Sequence, residues 1–376
     1  MKILVFNWED IRNPQGGGAE VHLHEVFTRI ARLGHEVTLL CSAFPGAPPE
    51  EELNGIRVIR RGGRYLFNFR AFWSYVTRFR REGFDVVVDD MNKIPFFTPL
   101  YVRRTLVGIT HHLFGRSIFR EVSFPVAAYV FVMESLAVQL YRRLRVPFIV
   151  GSPSTYHELL ASGFAATDVT LINYAVDHTL HHPAETRKNP TPFIGYFGRL
   201  KRYKSIDHLL RALPRVIDRF PDLRVSIVGE GDDRSRLEAI SRELKVEGHV
   251  TFTGFVTEER KVELLRQMWV KIATSSKEGW GLTVLEANAC GTPVIASDVP
   301  GLRDAVKHGE TGLLYPYGDI EKLAAAIITV LGDQALRERL RGSALRWAAE
   351  FSWDKAAQRT LEVIETVRRS DSASVR

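Results

Sequence analysis

Residues 270–289 read VKIATSSKEGWGLTVLEANA and combine several signals of secondary structure in one short stretch. The apolar run at 270–273 predicts a buried strand, because Val and Ile fit a pleated backbone well. A glycine-rich loop follows, and the apolar pattern that begins at Leu282 predicts a helix. A strand that leads into a helix is the unit of a parallel sheet, since parallel strands need a crossover connection.

The same alternation of strands and helices repeats along the chain in two sets. The first set of predicted strands lies at 2–6, 36–40, 85–88, 106–109, 148–150 and 169–172. The second set lies at 193–197, 224–228, 249–252, 270–273, 294–296 and 312–314. The sequence therefore predicts an α/β protein of two tandem, doubly wound, Rossmann-like domains, 1–177 and 178–352. We expect them to face a central cleft at the carboxyl ends of their strands.

The last part of the chain has helical patterns and no strand pattern. Residues 320–367 are almost wholly of this kind. We expect a helix at about 353–370 to return to the N-terminal domain, because its apolar face needs a surface to cover. Residues 371–376 are short and polar, and we expect a flexible tail there.

The composition is that of an ordinary globular protein. Of 376 residues, 45% are hydrophobic and 25% are charged, which excludes a disordered or collagen-like chain. The net charge of +7 is shared between both predicted domains without any nucleic-acid-binding pattern, so we expect no nucleic-acid partner. Cys41 and Cys290 are too few for a disulfide framework and favour the cytoplasm. The N-terminal apolar run is too short for a signal peptide.

Residues 57–81 concentrate positive charge and aromatic side chains. The arginines are Arg57, Arg60, Arg61, Arg64, Arg70, Arg78, Arg80 and Arg81. Aromatic residues interleaved with them include Phe67, Phe69, Phe72, Trp73, Tyr75 and Phe79. One interpretation is a peripheral contact with an anionic membrane, through charge and aromatic insertion. The other is a solvated helix whose aromatic side chains pack inward.

Residues 122–141 are long and apolar enough to raise the question of a membrane span. Pro125, Glu134 and Gln139 interrupt the run, and a carboxylate near the middle of a span is costly. The sequence therefore predicts a buried pair of helices inside the first domain and no transmembrane segment.

Two loops of the second domain have the residues expected of a diphosphate site. Gly198, Arg199 and Lys204 follow the strand at 193–197, and a guanidinium with a nearby ammonium suits two adjacent phosphates. Gly229 ends the next strand and permits close approach of the backbone to a ligand. The alternative is a solvated basic loop.

The stretch quoted at the outset adds the most specific pattern. Its glycine-rich loop contains Gly279, Trp280 and Gly281, and the helix that follows offers the free N–H groups of Leu282, Thr283 and Val284 to a phosphate. Glu286 lies about one turn, ~5.4 Å, further along, which suits the hydroxyls of a ribose. Glu278 precedes the helix and is expected to face the group attached to the phosphate.

Three patterns in and after the first domain are more ambiguous. Gly16, Gly17 and Gly18 open a helix and fit either an anion site or a tight turn. His111 and His112 end a strand, and His111 fits either a sugar contact or a packing role. Asp177, His178, His181 and His182 have loose metal-ligand spacing, which we interpret as a hinge.

Taken together, these motifs resemble retaining glycosyltransferases of family 4, which have the GT-B fold. The resemblance rests on residues 16–20, on Gly198-Arg199 with Lys204, and on Glu278 and Glu286 with seven residues between them. The segment 287–296, with Gly301 and 309–313, follows the same pattern, so the likeness covers essentially the whole chain.

The resemblance implies a nucleotide-diphosphate sugar donor, of UDP or GDP type, held mainly by the second domain. Arg199 and Lys204 are then expected to neutralise the diphosphate, Glu286 to hold the ribose and Glu278 to contact the transferred sugar. His111 and Gly17 complete the site from the first domain. The family retains anomeric configuration and needs no metal, so no cofactor is expected. Trp280 replaces a smaller residue of the family and is expected to alter the sugar pocket.

The resemblance leaves the acceptor and some alternatives open. A glycan, a lipid-linked molecule or a small molecule can supply the accepting hydroxyl, with polysaccharide biosynthesis among the roles of the family. A non-catalytic sugar-nucleotide binder and a sugar-nucleotide epimerase or hydrolase on the same fold are the alternatives. The expected location is the cytoplasm, at the inner face of the membrane if residues 57–81 contact lipid.

Overall fold

The computed structural model describes residues 1–63, 66–120, 122–184 and 188–374. The chain divides into two compact units, described separately below. Unit 1 comprises Met1–Tyr174 and the C-terminal segment from Trp353, and unit 2 comprises Ala175–Ser352. The division falls close to the predicted boundary at Asp177.

Unit 1 is built on one sheet of eight strands. The strands are β1 (Lys2–Phe6), β2 (Glu36–Cys41), β3 (Glu50–Leu53), β4 (Ile56–Arg60), β5 (Val86–Asp90), β6 (Thr105–Thr110), β7 (Phe148–Val150) and β8 (Val169–Leu171). Their order is β3-β4-β2-β1-β5-β6-β7-β8, and all neighbours are parallel except β3 and β4. The helices between them are α1 (Gly18–Arg32), α2 (Phe67–Thr77), α3 (Phe124–Arg143) and α4 (Pro153–Ala161).

Unit 2 repeats the architecture with a six-stranded, all-parallel sheet. The strands are β9 (Phe193–Phe197), β10 (Arg224–Val228), β11 (Val250–Gly254), β12 (Val270–Ala273), β13 (Val294–Ser297) and β14 (Gly312–Tyr315), in the order β11-β10-β9-β12-β13-β14. The helices are α5 (Ile206–Ile217), α6 (Arg234–Glu243), α7 (Glu258–Gln267), α8 (Leu282–Ala289), α9 (Leu302–Ala305), α10 (Ile320–Gly332) and α11 (Gln334–Ala349). The prediction of two Rossmann-like halves is confirmed.

The last helix, α12 (Trp353–Ser374), belongs to unit 1, as expected of a returning C-terminal helix. Its Asp354 accepts a hydrogen bond of 2.6 Å from Arg29 of α1. The helix continues into the predicted tail, so residues 371–374 are helical, and Val375 and Arg376 lie outside the described residues. The hydroxyl of Ser372 donates to the carbonyl of Arg368, which adapts a polar residue to the helix.

Residues 57–81 are not one helix, which corrects the interpretation of the stretch as a solvated helix, whereas the membrane contact stays a prediction. Its first residues form β4, which pairs with β3 through a hairpin. The turn is Asn54-Gly55, with φ of 51° and 86°, and this dipeptide is a strong hairpin signal. The sequence pattern did not predict this hairpin, because the residues of β3, EEEL, show no alternation of apolar and polar side chains.

Four of the arginines in this stretch are neutralised within unit 1. Arg60 is fully buried and donates to Asp10 at 2.7 Å and 3.0 Å. Arg57, Arg61 and Arg78 all form ion pairs with Glu50. Hydrogen bonds led by that of Arg78 lower the pKa of the Glu50 carboxyl to about 2. Arg64 lies outside the described residues.

The predicted buried pair of helices at 122–141 is wrong. The segment forms the single helix α3, whose Pro125 lies in the first turn, where proline is tolerated. Among the described residues it is the one helix long and apolar enough to cross a membrane. One side packs into unit 1 through residues such as Val138 and Tyr141, so a spanning orientation does not fit. Its other side is exposed.

Candidate active site

In unit 2, the loops predicted to hold a donor follow neighbouring strands. The chain leaves β9 for β10 on one side, and β12 lies on the other side. A crevice opens at the carboxyl ends of the strands at such a reversal, and open α/β sheets bind ligands there. The loops after β9, β10 and β12 therefore lie where an open α/β sheet binds its ligand.

The first two of these loops touch through their glycines. Gly229 has φ of +132°, and a Cβ there would lie 2.0 Å from the carbonyl oxygen of Gly198. The N–H of Gly198 donates to the carbonyl of Val228 at 3.0 Å. A side chain at position 229 would push the two loops apart, so glycine is needed for the loop geometry.

Lys204 and Glu278 form an ion pair between the loops after β9 and β12. Ser275 donates a second hydrogen bond of 2.6 Å to the same carboxylate oxygen of Glu278. Burial lowers the pKa of Lys204, but Glu278 together with the neighbouring tyrosines raises it, and the net shift is upward. Burial raises the pKa of Glu278, but Lys204 lowers it below its ordinary value. Both groups are therefore charged.

Arg199 lies on the same loop as Lys204. Its guanidinium donates to the hydroxyl of Tyr203 at 3.2 Å. The structure thus brings Arg199, Lys204 and Glu278 to the carboxyl ends of adjacent strands, as the sequence predicts. Their roles toward a ligand stay predictions.

Helix α8 begins at Leu282, directly after Gly281 with φ of +90°. The first N–H groups of a helix have no acceptor inside it. The prediction for Val284 needs correction, because its N–H donates to the carbonyl of Gly281 at 2.8 Å. The backbone N–H groups of Leu282 and Thr283, at the N-terminus of α8, remain the predicted phosphate donors.

The side chain of Trp280, which is expected to alter the sugar pocket, lies inside unit 2. Its side chain is buried, with 2% of its surface exposed, and its ring packs edge-on against Phe351 at 5.4 Å between centroids. The indole therefore packs in the interior of unit 2, and its effect on a sugar pocket stays a prediction.

Glu286 lies on α8 and has a partner that sequence reasoning missed. Lys261 of α7 donates to Glu286 Oε1 at 3.1 Å and pairs with Glu258 at 2.6 Å. Burial raises the pKa of Glu286, but Lys261 lowers it below its ordinary value. Glu286 Oε2 is buried and has no hydrogen-bond partner among the described residues. An ionised oxygen is thus left for a ligand.

His181 approaches the same carboxylate, although the sequence analysis assigned it to a hinge. Its Nδ1 lies 3.3 Å from the carbonyl of Asp177, which requires Nδ1 to carry the proton. Burial lowers the pKa of the ring, so it is neutral and Nε2 is an acceptor. Nε2 is buried and has no partner among the described residues. Two acceptors, His181 Nε2 and Glu286 Oε2, therefore await a donor such as a hydroxyl.

His181, Glu258 and Glu286 also have ligand atoms within 4.8 Å of one another, which raises the question of a metal ion. Lys261 donates to both carboxylates, so a cationic group already lies among them. A divalent ion would have to displace this ammonium, and the residues present do not fit a metal site. Asp177, His178 and His182, which have loose metal-ligand spacing in the sequence, are not part of this cluster.

In unit 1, the predicted glycines begin α1 after β1. Gly17 is the N-cap residue, and its N–H donates to Glu20 Oε2 at 2.6 Å. Asn92 donates to the other oxygen of Glu20 at 3.0 Å. The N–H of Gly17 is therefore occupied, and an anion there would have to displace Glu20. Gly18 opens the first turn of the helix.

His111 directly follows β6, and its ring lies between two polar side chains. Nε2 lies 2.8 Å from Asp90 Oδ1, and Nδ1 shares a hydrogen bond with the hydroxyl of Tyr174. His22 stacks on Tyr174 at 4.4 Å and meets His111 edge-on. Burial lowers the pKa of His111, but Asp90, with a contribution from Glu20, raises it, and the net shift is upward. The ring is thus held between Asp90 and Tyr174, and its contact with a sugar stays a prediction.

Comparison with known proteins places these features in a family. The model of the glycosyl transferases group 1 matches residues 177–347, and the model of glycosyltransferase family 4 matches residues 16–180. An uncharacterised glycosyltransferase of Methanocaldococcus jannaschii is 35% identical, over 96% of this chain and 97% of its own.

Solved structures agree on the fold. Sucrose-phosphate synthase of Thermosynechococcus elongatus superposes with a TM-score of 0.84, at 22% identity, over 98% of this chain and 99% of that one. Anabaena HepE in complex with UDP-glucose gives a TM-score of 0.78, at 20% identity, over 97% of this chain and 100% of that one. The chain belongs to family 4 of the glycosyltransferases, with the GT-B fold, and is a glycosyltransferase.

Proposed function

We propose that this enzyme transfers a sugar, with retention of anomeric configuration and without a metal ion, from a nucleotide-diphosphate sugar to a hydroxyl group. The observation that carries the proposal is the arrangement in unit 2. Two cations and a helix start lie at the ends of β9 and β12, and an ionised carboxylate with a free oxygen lies one turn further along α8.

The ribose is assigned to the pocket of acceptors at Glu286. Vicinal hydroxyls of a ribose are donors, and Glu286 Oε2 and His181 Nε2 are buried acceptors without partners among the described residues. Lys261 keeps Glu286 ionised and fixes its other oxygen. A UDP-type donor is favoured, because HepE was solved with UDP-glucose, and a GDP-type donor is the alternative.

The diphosphate is assigned to Arg199, Lys204 and the start of α8. Negative charge grows on the leaving diphosphate as the glycosidic bond breaks, and preorganised cations stabilise that charge. Lys204 exchanges Glu278 for a phosphate oxygen in this scheme, which leaves Glu278 to accept hydrogen bonds from hydroxyls of the transferred sugar. These side chains take the place of a metal ion.

The residues of unit 1 are assigned to the acceptor side. We propose that His111, fixed by Asp90, contributes a positive charge near the reacting sugar, and that Gly17 and Gly18 border the site. The acceptor is a glycan, a lipid-linked molecule or a small molecule, and a lipid-linked or envelope acceptor is favoured by exposed aromatic side chains of α2. We place the reaction in the cytoplasm, at the inner face of the membrane.

Thermal unfolding with a panel of UDP- and GDP-sugars in EDTA tests the donor site. A ligand at 100 times its Kd stabilises the folded state by about 2.7 kcal/mol, so the matching donor raises the Tm clearly. We expect this rise in the wild type and in the control Glu247→Gln, an exposed carboxylate of unit 2, but a smaller rise in Glu286→Gln. If no nucleotide sugar raises the Tm, the proposed function is wrong.

The same preparation separates transfer from the alternatives. Sugar release that requires an added acceptor identifies a transferase, whereas release at the same rate without one identifies a hydrolase. Binding without any turnover over an acceptor panel identifies a non-catalytic binder.

A further inference from the structure

Helix α3 exposes an apolar face that the glycosyltransferase site does not use. The exposed positions Val126, Tyr129, Val132 and Leu136 recur every three or four residues and thus form one stripe. Phe124, at the start of the helix, has 74% of its surface exposed, and Leu136 has 53% exposed. Single exposed apolar residues are common, but a continuous stripe of this length on a soluble surface indicates an interaction site.

The stripe contains no charge. Glu134 is the one acidic residue of α3, and it is buried. It accepts hydrogen bonds from the N–H groups of Phe114 at 2.6 Å and Gly115 at 2.7 Å. Glu134, whose charge is unfavourable in a membrane span, is therefore hydrogen-bonded inside unit 1. It does not interrupt the exposed apolar side of α3.

Helix α2 adds exposed aromatic residues on the same side of the sheet. Phe69, Phe72 and Trp73 have 64%, 42% and 61% of their surface exposed. Val87 of β5 packs in the cluster beneath α2, and Asp89, two residues on, accepts a hydrogen bond from Tyr141 of α3. Side chains two residues apart on a strand share a face, so α2 and α3 cover the same face of the sheet.

The charges around these helices are positive. Arg70 on α2, Arg116 before α3 and Arg143 at its end are exposed. Within residues 66–81, 94–104 and 113–143, the acidic residues are the buried Glu134 and Glu121, which lies outside the described residues. A second copy of the chain would bring like charges together on this face, whereas an anionic lipid surface complements them.

We propose that the apolar faces of α2 and α3 form a docking surface for an anionic bilayer. Both helices lie in the plane of the interface, with the stripe of α3 and the aromatic side chains of α2 among the acyl chains and the arginines at the headgroups. The inner side of α3 stays packed in unit 1, so the protein is bound to the membrane surface and does not span it. This inference identifies the surface behind the membrane location proposed above, and it does not rest on glycosyl transfer itself.

Co-sedimentation with vesicles tests the docking surface. Vesicles of phosphatidylcholine with phosphatidylglycerol are compared with pure phosphatidylcholine, at low salt and in about 0.5 M NaCl, where charges are screened. We expect wild-type protein to sediment with the anionic vesicles at low salt and to be released by salt or by the loss of anionic lipid.

Two variants separate the apolar and the charged contributions. Val126→Gln/Val132→Gln/Leu136→Gln keeps good helix formers on exposed positions and is expected to weaken partition at least about tenfold. Arg70→Gln/Arg116→Gln is expected to weaken it roughly 30-fold, because two basic residues near an anionic surface are lost. The matched control Leu33→Gln/Phe255→Gln removes apolar side chains that are 60% and 85% exposed elsewhere and is expected to sediment like the wild type.

The proposal is overturned if the wild type stays in the supernatant, or if either variant sediments like the control. It is equally overturned if analytical ultracentrifugation shows a dimer that the triple Gln variant dissociates, since the stripe would then bind a second copy. Thermal unfolding with and without UDP verifies that each variant is folded. Loss of donor binding in the wild type would count against the proposed function alone.

Discussion

Replacement of Glu286 by Gln is expected to weaken donor binding far more than it slows the chemical step. The substitution keeps the shape of the side chain but removes the negative charge that Lys261 stabilises at 3.1 Å. Lys261 retains Glu258 at 2.6 Å, so the folded state keeps a partner for the ammonium. The effect should therefore appear in binding and only weakly in stability.

The size of the effect follows from the hydrogen bonds that the ribose loses. A hydrogen bond to an ionised acceptor contributes about 1.5–3 kcal/mol. The Kd for the donor should then rise roughly 10- to 150-fold, since every 1.4 kcal/mol is a factor of ten. Because the ribose is held equally in the ground and transition states, kcat should change little.

Calorimetric Kd values and initial rates measure the two quantities separately. Glu247→Gln is the control for the removal of a carboxylate from unit 2. A donor that lacks the ribose hydroxyls should bind wild type weakly and should be affected little by Glu286→Gln. An unchanged KM with a collapsed kcat would refute the assignment of Glu286 to the ribose.

Further predictions concern the remaining groups of both units. Arg199→Ala/Lys204→Ala should lower kcat at least about 100-fold, the scale of a lost charge-stabilising donor, and initial rates in EDTA measure this. Asp90→Asn should lower the pKa of His111, because Asp90 raises it in the folded state; imidazole titration by NMR checks the direction, and an unchanged pKa would show that Asp90 does not act on the ring. Binding of a nucleotide-diphosphate sugar should stay constant as the pH falls from 7 to about 5. The pKa of Glu286 lies below its ordinary value of 4.5, so its negative charge is lost only as the pH passes through that lowered pKa. A loss of affinity near pH 6 would contradict this. Gly229→Ala should lower the Tm, because its Cβ would meet the carbonyl of Gly198 at 2.0 Å.

The sequence predicted unit 2 well because its signals are local. Short apolar runs bounded by glycines identify β9 to β14, and α8 begins and ends where its apolar pattern predicts. The hairpin of β3 and β4 was missed, although Asn54-Gly55 signalled it, because one strand is wholly acidic apart from Leu53.

Other features depend on contacts that no local pattern contains. A helix that is apolar on all sides, such as α3, does not reveal which side is exposed. Lys261 and His181 lie 25 and 105 positions from Glu286 along the chain, and only the fold brings them to its carboxylate. The burial of Trp280 and the engagement of both nitrogens of His111 likewise follow from packing.

The anomeric configuration of the product, measured by NMR in the presence of EDTA, tests the central claim most directly. The wild-type enzyme is supplied with the NDP-sugar that raises its Tm and with an acceptor from the panel. We predict a product that keeps the anomeric configuration of the donor, formed at the same rate with and without EDTA. An inverted product, or transfer that begins only when magnesium or manganese is added, would contradict the proposed mechanism.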